Sequence, residues 1–170
     1  MPETVTKEEA FRFEIDDAVR RYADMVYRLA ILNSGSEQDA EDAFQEVFLK
    51  LFRHKDSIQS EEHLKAWLIR VTVNQCRSTA SSVWNKRRVS LEVIAEAAAP
   101  QDDEDYSEVY DAVKALPDKY REVIHLFYYE QLPISRIAQV LGRNEATVKT
   151  HLARGRSLLK EKLKGSFHNG

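Results

Sequence analysis

The sequence predicts an all-α protein: two small helical domains joined by an acidic linker. Three observations predict it. Apolar residues recur at i, i+3, i+4 and i+7 in both halves, and no segment alternates in the two-residue period of a strand. Only 5 Gly and 4 Pro occur, too few for a turn-rich β architecture. Charge is segregated along the chain. Lys65, Arg70, Arg77, Lys86, Arg87 and Arg88 lie in a stretch without an acid. Six bases and one acid fall between Lys149 and Lys164, and the intervening Val89 to Val109 holds seven acids and no base. The 170 residues suit one ordinary domain or two small ones, and 43% hydrophobic content supports packed cores rather than a disordered chain.

The first helix is expected over about Glu8 to Leu32. Ile15, Val19, Tyr22, Val26 and Leu29 form its apolar face, and Gly35 follows it as a left-handed cap. Ser36 with Asp39 resembles a capping box for the second helix. There Ala40, Ala43, Phe44, Val47, Phe48, Leu51 and Phe52 form the inner stripe, opposite Glu37, Glu41, Asp42, Gln45 and Glu46. His54 to Gln59 reads as a loop. Ser60, followed by two acids, starts a third helix with Leu64, Trp67, Leu68 and Val71 inward, running on through Cys76 towards Val83. Arg87 to Asp105 has no sustained period and reads as linker. The remainder predicts four helices. Val109, Val113 and Leu116 belong to the first. Tyr120, Val123, Ile124, Phe127 and Tyr128 belong to the second, and Ile134, Ile137, Ala138 and Leu141 to the third. The last, capped by Asn144, carries Val148, Leu152, Leu159 and Leu163. Domain limits of 8–88 and 107–165 follow, with 89–106 between them.

Other classes are excluded by what is missing. The longest wholly apolar run, Leu29 to Leu32, is far too short for a transmembrane helix, and the first residues have no apolar core of a secretory signal. A single cysteine, Cys76, forms no internal disulfide, which points to a reducing, cytoplasmic compartment. The histidines have no metal-ligand spacing, no Gly-rich phosphate loop occurs, and no nucleophile constellation is identifiable. The expectation is therefore a protein without catalytic residues, metal or cofactor. The basic blocks read either as phosphate-attracting surfaces or as solvated helix faces.

The short helix from Pro133 to Leu141, the turn Gly142-Arg143-Asn144 and the basic helix after it have helix-turn-helix spacing. Val148 and Leu152 face inward, so Glu145, Ala146, Lys149, Thr150, Ala153 and Arg154 face out. Such side chains can read base edges in a major groove, while Arg156 and Lys160, further along, suit phosphates. A helical hairpin with a basic exposed face is the plainer alternative.

The segment from Leu116-Pro117 through Tyr120-Arg121, the Ile137-Ala138 to Leu141-Gly142 turn, and Thr147-Val148-Lys149 with Arg154 and Arg156 resembles region 4 of extracytoplasmic-function sigma factors of bacterial RNA polymerase. Asp39 to Phe48, an acidic start followed by Gln45-Glu46-Val47-Phe48, resembles their region 2. His63 to Asn74, with Trp67-Leu68 and the later Asn, resembles the next region 2 helix. Together the resemblance covers about residues 10–90 and 107–165.

The resemblance implies core RNA polymerase, promoter DNA and a cognate anti-sigma factor as partners. Asp42, Gln45 and Glu46 would dock on the clamp helices of the largest subunit, and region 4 would meet the flap region. Arg70, Asn74, Arg77, Lys86, Arg87 and Arg88 would hold the −10 element, and the loop His54 to Gln59 would take an extruded base. Lys149, Thr150, Ala153, Arg154 and Arg156 would face the −35 element, with Ala153 smaller than the family's usual residue. Read from the residues alone, Trp67 is core, Asn74 is equally a solvent-facing helix residue, and the chain is also compatible with a duplex-binding regulator or a helical interaction protein.

Overall fold

The structure is a computed structural model that describes residues 11–83 and 104–168, with side chains over 11–77 and 108–165. Among the described residues there is no strand, and the chain divides into two compact units. The first holds α1 (Ile15–Asn33), α2 (Glu37–His54) and α3 (Glu61–Val83); the second holds α4 (Glu104–Lys114), α5 (Asp118–Ile124), α6 (Ile134–Leu141) and α7 (Glu145–His168). None of these helices is long and apolar enough to cross a membrane.

In the first unit, α1 packs against α3. Ala30, Ala40, Ala43 and Cys76 form a cluster of small buried residues drawn from all three helices, which lets their backbones approach closely. Around it Val26, Leu29, Val47, Leu51, Leu64, Leu68, Ile69 and Val73 are fully enclosed. The first helix begins at Ile15 rather than near Glu8, because Glu14 is extended at φ −88° and ψ 140°. Its end also differs from expectation. Ser34 is extended, no left-handed glycine follows, and Asn33 turns its amide back to the Leu29 carbonyl at 2.8 Å.

Three residues expected in the core are not enclosed there. Phe52 is 59% exposed, with Lys55 Nζ 5.2 Å from its ring centre. Trp67 and Val71 are only half-buried, because the inward face of α3 is displaced towards Ile69, Thr72, Val73 and Cys76. The start of α3 follows expectation: Ser60 Oγ accepts the His63 N–H at 3.0 Å, and His63 Nδ1 accepts the Gln59 N–H at 3.0 Å. The preceding loop contains a 3₁₀ turn, Lys55–Ser57, and is pinned by the buried Ile58.

In the second unit, α4, α5 and α6 all pack on α7. α4 starts at Glu104, inside the stretch expected to be linker, where Glu104 and Asp105 suit the positive end of a helix dipole. Of the residues expected to link the units, 89–103 lie outside the described part. α5 runs into a π turn, His125–Tyr129, closed by the Glu130 N–H on the His125 carbonyl at 3.2 Å. The extra residue in that turn changes the helical phase. Of the two residues predicted inward there, Phe127 is half-buried and Tyr128 half-exposed, and His125 and Leu126 take the core. His125 Nε2 lies 3.3 Å from Glu130 Oε1, both side chains buried, and the His125 ring stacks on Tyr129 at 5.4 Å. Leu159 and Leu163, also predicted inward, are half-buried.

Candidate nucleic-acid interface

The turn between α6 and α7 is built residue by residue. Gly142 adopts φ 66°, the left-handed conformation that ends α6, and its N–H donates to the Ala138 carbonyl. The Arg143 N–H donates to the same carbonyl at 3.0 Å. Asn144 Oδ1 then accepts the Thr147 N–H at 2.8 Å and starts α7. Val148 and Leu152 are buried, which leaves Lys149, Thr150, Ala153 and Arg154 on the exposed face. Thr150 Oγ1 donates to the Ala146 carbonyl at 3.0 Å, so its hydroxyl is engaged by its own helix.

Gly155 sits where α7 crosses α5. A Cβ there would stand 2.9 Å from Ile124 Cγ1, so a larger residue would push the Ile124 side chain aside. Behind the exposed face, Arg143 Nη2 pairs with Glu122 Oε2 at 2.6 Å and Nη1 donates to the Lys119 carbonyl at 3.3 Å. Beside them the Tyr120 ring meets His151 edge-on at 5.6 Å. Burial, then Arg143 and Lys119, push the His151 pKa down, with Glu122 opposing.

Arg156, expected to reach phosphate, is engaged within the protein. Its Nε donates to the Tyr128 hydroxyl at 2.5 Å, and its guanidinium lies 5.5 Å from the Phe127 ring centre and 5.6 Å from that of Tyr128. It forms part of the rim of an open apolar groove of about 590 Å³, floored by Val109, Val113, Ile124, Leu159 and Leu163 and edged by Tyr128, Tyr129, Lys160 and Lys164.

In the first unit, Arg70, Asn74 and Arg77 are all exposed and follow one another by about one helical turn on α3. Lys86, Arg87 and Arg88, with the neighbouring Trp84, lie outside the described residues. On α2, Asp42 and Gln45 are exposed and Glu46 is half-buried. Asp42 Oδ1 accepts from Gln38 Nε2 at 3.0 Å, and Glu46 lies 3.9 Å from Arg53, too far for a strong pair. Leu49, 51% exposed, and Phe52 extend this ridge along the same side of the helix. The apolar count of the sequence placed Phe52 inside; its position seven residues after Gln45, almost in phase with it, was the signal for the outer face.

The N-terminal end of α3 is held by Glu61, which accepts from the Tyr22 hydroxyl at 2.6 Å and pairs with Arg21. The hydrogen bond from Tyr22 is the leading influence that holds the Glu61 carboxyl below its ordinary pKa, and Arg21 adds to it. Burial, then the bond to Glu61, push the Tyr22 phenol up to about 12. Thr72, fully buried, satisfies its hydroxyl on the Leu68 carbonyl at 2.6 Å.

These two units are those of a sigma-70-type transcription factor: residues 18–85 match Sigma-70 region 2, and residues 106–159 match Sigma-70, region 4. Relatives extend the match along the chain. The ECF RNA polymerase sigma factor SigM of Mycobacterium tuberculosis is 30% identical over 160 residues, covering 94% of this chain and 81% of that protein. SigW of Bacillus subtilis is 29% identical, covering 87% and 88%. SigE of Mycolicibacterium smegmatis is 32% identical, and there the chain spans 61% of the relative's length. The sigma factor RpoE of Bartonella quintana, solved in complex with the anti-sigma factor NepR, superposes with a TM-score of 0.73 at 26% identity, covering 88% of this chain and 96% of that one.

The chain belongs to the extracytoplasmic-function family of RNA polymerase sigma factors. It is a promoter-recognition factor of transcription initiation, and its region 4 is a DNA-binding helix-turn-helix unit.

Proposed function

We propose that residues 8–88 bind core polymerase and the −10 element, that residues 107–165 read the −35 element, and that 89–106 join the two. The observation that carries this reading is the outward face of α7. Lys149, Thr150, Ala153 and Arg154 stand exposed on a helix whose first turn is capped and whose inner side is anchored by Val148 and Leu152. Lysine and arginine at that position suit guanine edges or phosphate, and the small Ala153 leaves room for a thymine methyl group. Arg156 holds its Nε on Tyr128 and its guanidinium over Phe127 and Tyr128, which leaves its outer N–H groups for a phosphate at the groove rim.

Arg70, Asn74 and Arg77, continued by Lys86, Arg87 and Arg88, are the residues proposed for the −10 element. Asn74 presents a donor and an acceptor to a base edge between two guanidinium groups. The loop His54 to Gln59, with Ile58 inward and the half-buried Trp67 facing the His54 ring at 6.2 Å, is the proposed receiver of an extruded base. Asp42, Gln45 and Glu46, extended by Leu49 and Phe52, form the proposed face for the basic clamp helices of the largest subunit. The groove between α4 and α7 is the proposed seat for the flap region.

Each contact alone is weak, and tethering two of them raises affinity through effective concentration. The anti-sigma complex of the Bartonella RpoE supports an anti-sigma partner here too. The proposed site of action is the cytoplasm, with chemistry supplied by the polymerase and no cofactor on this chain.

Reconstitution with core polymerase tests the reading. The expected result is binding of the chain to core and transcription from a selected promoter that depends on it. Asp42→Lys with Glu46→Lys should lower core affinity while the helical circular-dichroism spectrum is kept. A chain that ignores core yet binds an operator duplex tightly by itself would overturn the proposal in favour of a free-standing regulator.

A further inference from the structure

The reading end of α7 is held by few apolar contacts. Between Glu145 and Gly155, only Val148, Leu152 and Gly155 are buried. The close approach of Gly155 to Ile124 fixes the helix at one point. From there to Asn144 is about 16 Å of helix, so a small rotation about that crossing displaces the groove-entering end by more than an ångström. At that far end a second fixed point exists. Arg143 in the turn reaches back to α5, pairing with Glu122 at 2.6 Å and donating to the Lys119 carbonyl at 3.3 Å. The Glu122 side chain is 2% exposed and that of Arg143 is 17% exposed, so the pair is largely removed from solvent and geometrically defined, unlike a surface ion pair.

We infer that Glu122 and Arg143 are positioning residues for −35 recognition: they latch the turn of the helix-turn-helix to α5 and set the angle at which α7 presents Lys149, Thr150, Ala153 and Arg154. Glu122 touches no DNA in this assignment, and Arg143 acts through the helix that follows it. The inference rests on the −35 reading of α7.

A negative charge on a DNA-binding unit ordinarily weakens binding, so Glu122→Gln should tighten it if charge alone mattered. The latch predicts the opposite sign. The measurement is holoenzyme affinity for a promoter fragment selected with the wild-type protein, compared with the same fragment carrying a scrambled −35 element. Wild type should prefer the intact element; failure to do so would sink the −35 reading itself.

Given that preference, Glu122→Gln and Arg143→Ala should each cut it about tenfold, the size of one good base contact, at equal folded fraction by circular dichroism. The slope of log affinity against log salt should stay unchanged, whereas loss of a phosphate contact would lower it by about 0.9. Arg143→Lys keeps the charge but cannot fork to Glu122 and Lys119 together, so its preference should fall as well; this variant decides the matter if the others fail to fold. Undiminished −35 preference in Glu122→Gln or Arg143→Lys, or a slope reduced by one phosphate in Arg143→Ala, would overturn the inference.

Discussion

The two helices proposed to face DNA are held in different ways. From Leu64 to Cys76, α3 buries Leu64, Leu68, Ile69, Thr72, Val73 and Cys76, so most of its length is a wall of the core. Among its charged contacts, Glu61 meets Arg21 and Tyr22 near solvent at its first turn, and Lys50 donates to Gln75 at 2.6 Å. α7 buries Val148, Leu152 and Gly155 along its reading end, and its charged contact, Arg143 with Glu122, is inside. Where apolar burial already fixes a helix, an ion pair is peripheral. Where the apolar stripe is short, a buried pair supplies the missing constraint. The difference also separates what each helix tolerates: α3 has redundancy, and α7 has almost none.

The largest test of that contrast removes one apolar anchor from each helix. Leu68→Ala and Leu152→Ala should each cost about 2–5 kcal/mol in urea unfolding, since both side chains are enclosed. Only Leu152→Ala should also lower −35 discrimination at equal folded fraction. Equal loss of discrimination in both variants would break the comparison.

Next in size is the asymmetry of the latch. Removing one partner of a buried pair costs about 3–5 kcal/mol when the remaining charge stays buried. Arg143→Ala takes the guanidinium from a carboxylate that is 2% exposed, whereas Glu122→Ala leaves a guanidinium with more access to water. Arg143→Ala should therefore destabilise more, as read from urea midpoints.

Acid should distinguish the units with smaller effects. The Glu61 pKa is lowered in the folded state, so its contribution is present above about pH 4.5 and is lost as pH falls below that value. Glu61→Gln should flatten this part of the stability curve of the first unit. The smallest effect is at His151, whose pKa is also lowered, chiefly by burial. Folding disfavours its protonation, so stability of the second unit should decline as pH drops from about 6.5 towards the folded value. His151→Gln should remove that decline, as followed by unfolding midpoints between neutral and mildly acid pH.

Much of this was legible in the residues. Ser60, Gly142 and Asn144 were readable as helix punctuation because their effect is local: an oxygen within reach of an N–H, or a residue free to take positive φ. The outward face of α7 followed from Val148 and Leu152, four residues apart. Misreadings arose wherever phase depended on distant packing. Phe127 and Tyr128 fit an α-helical stripe, yet after the π turn at His125 Phe127 is half-buried and Tyr128 half-exposed. Phe52 fit the apolar series of α2, yet the first unit leaves that position uncovered. Leu159 and Leu163 continue the α7 pattern but line an open groove rather than a closed core.

By itself the sequence determined the helical class, the order of two units and the turn that starts the helix after Asn144, because spacing and caps act within a few residues. Only the tertiary structure decided that Glu122 lies under the turn, that Arg143 reaches it, that Arg156 rests on two aromatic rings and that α7 crosses α5 at Gly155. Those contacts join residues 21 or more positions apart, and their geometry exists only after the helices have packed.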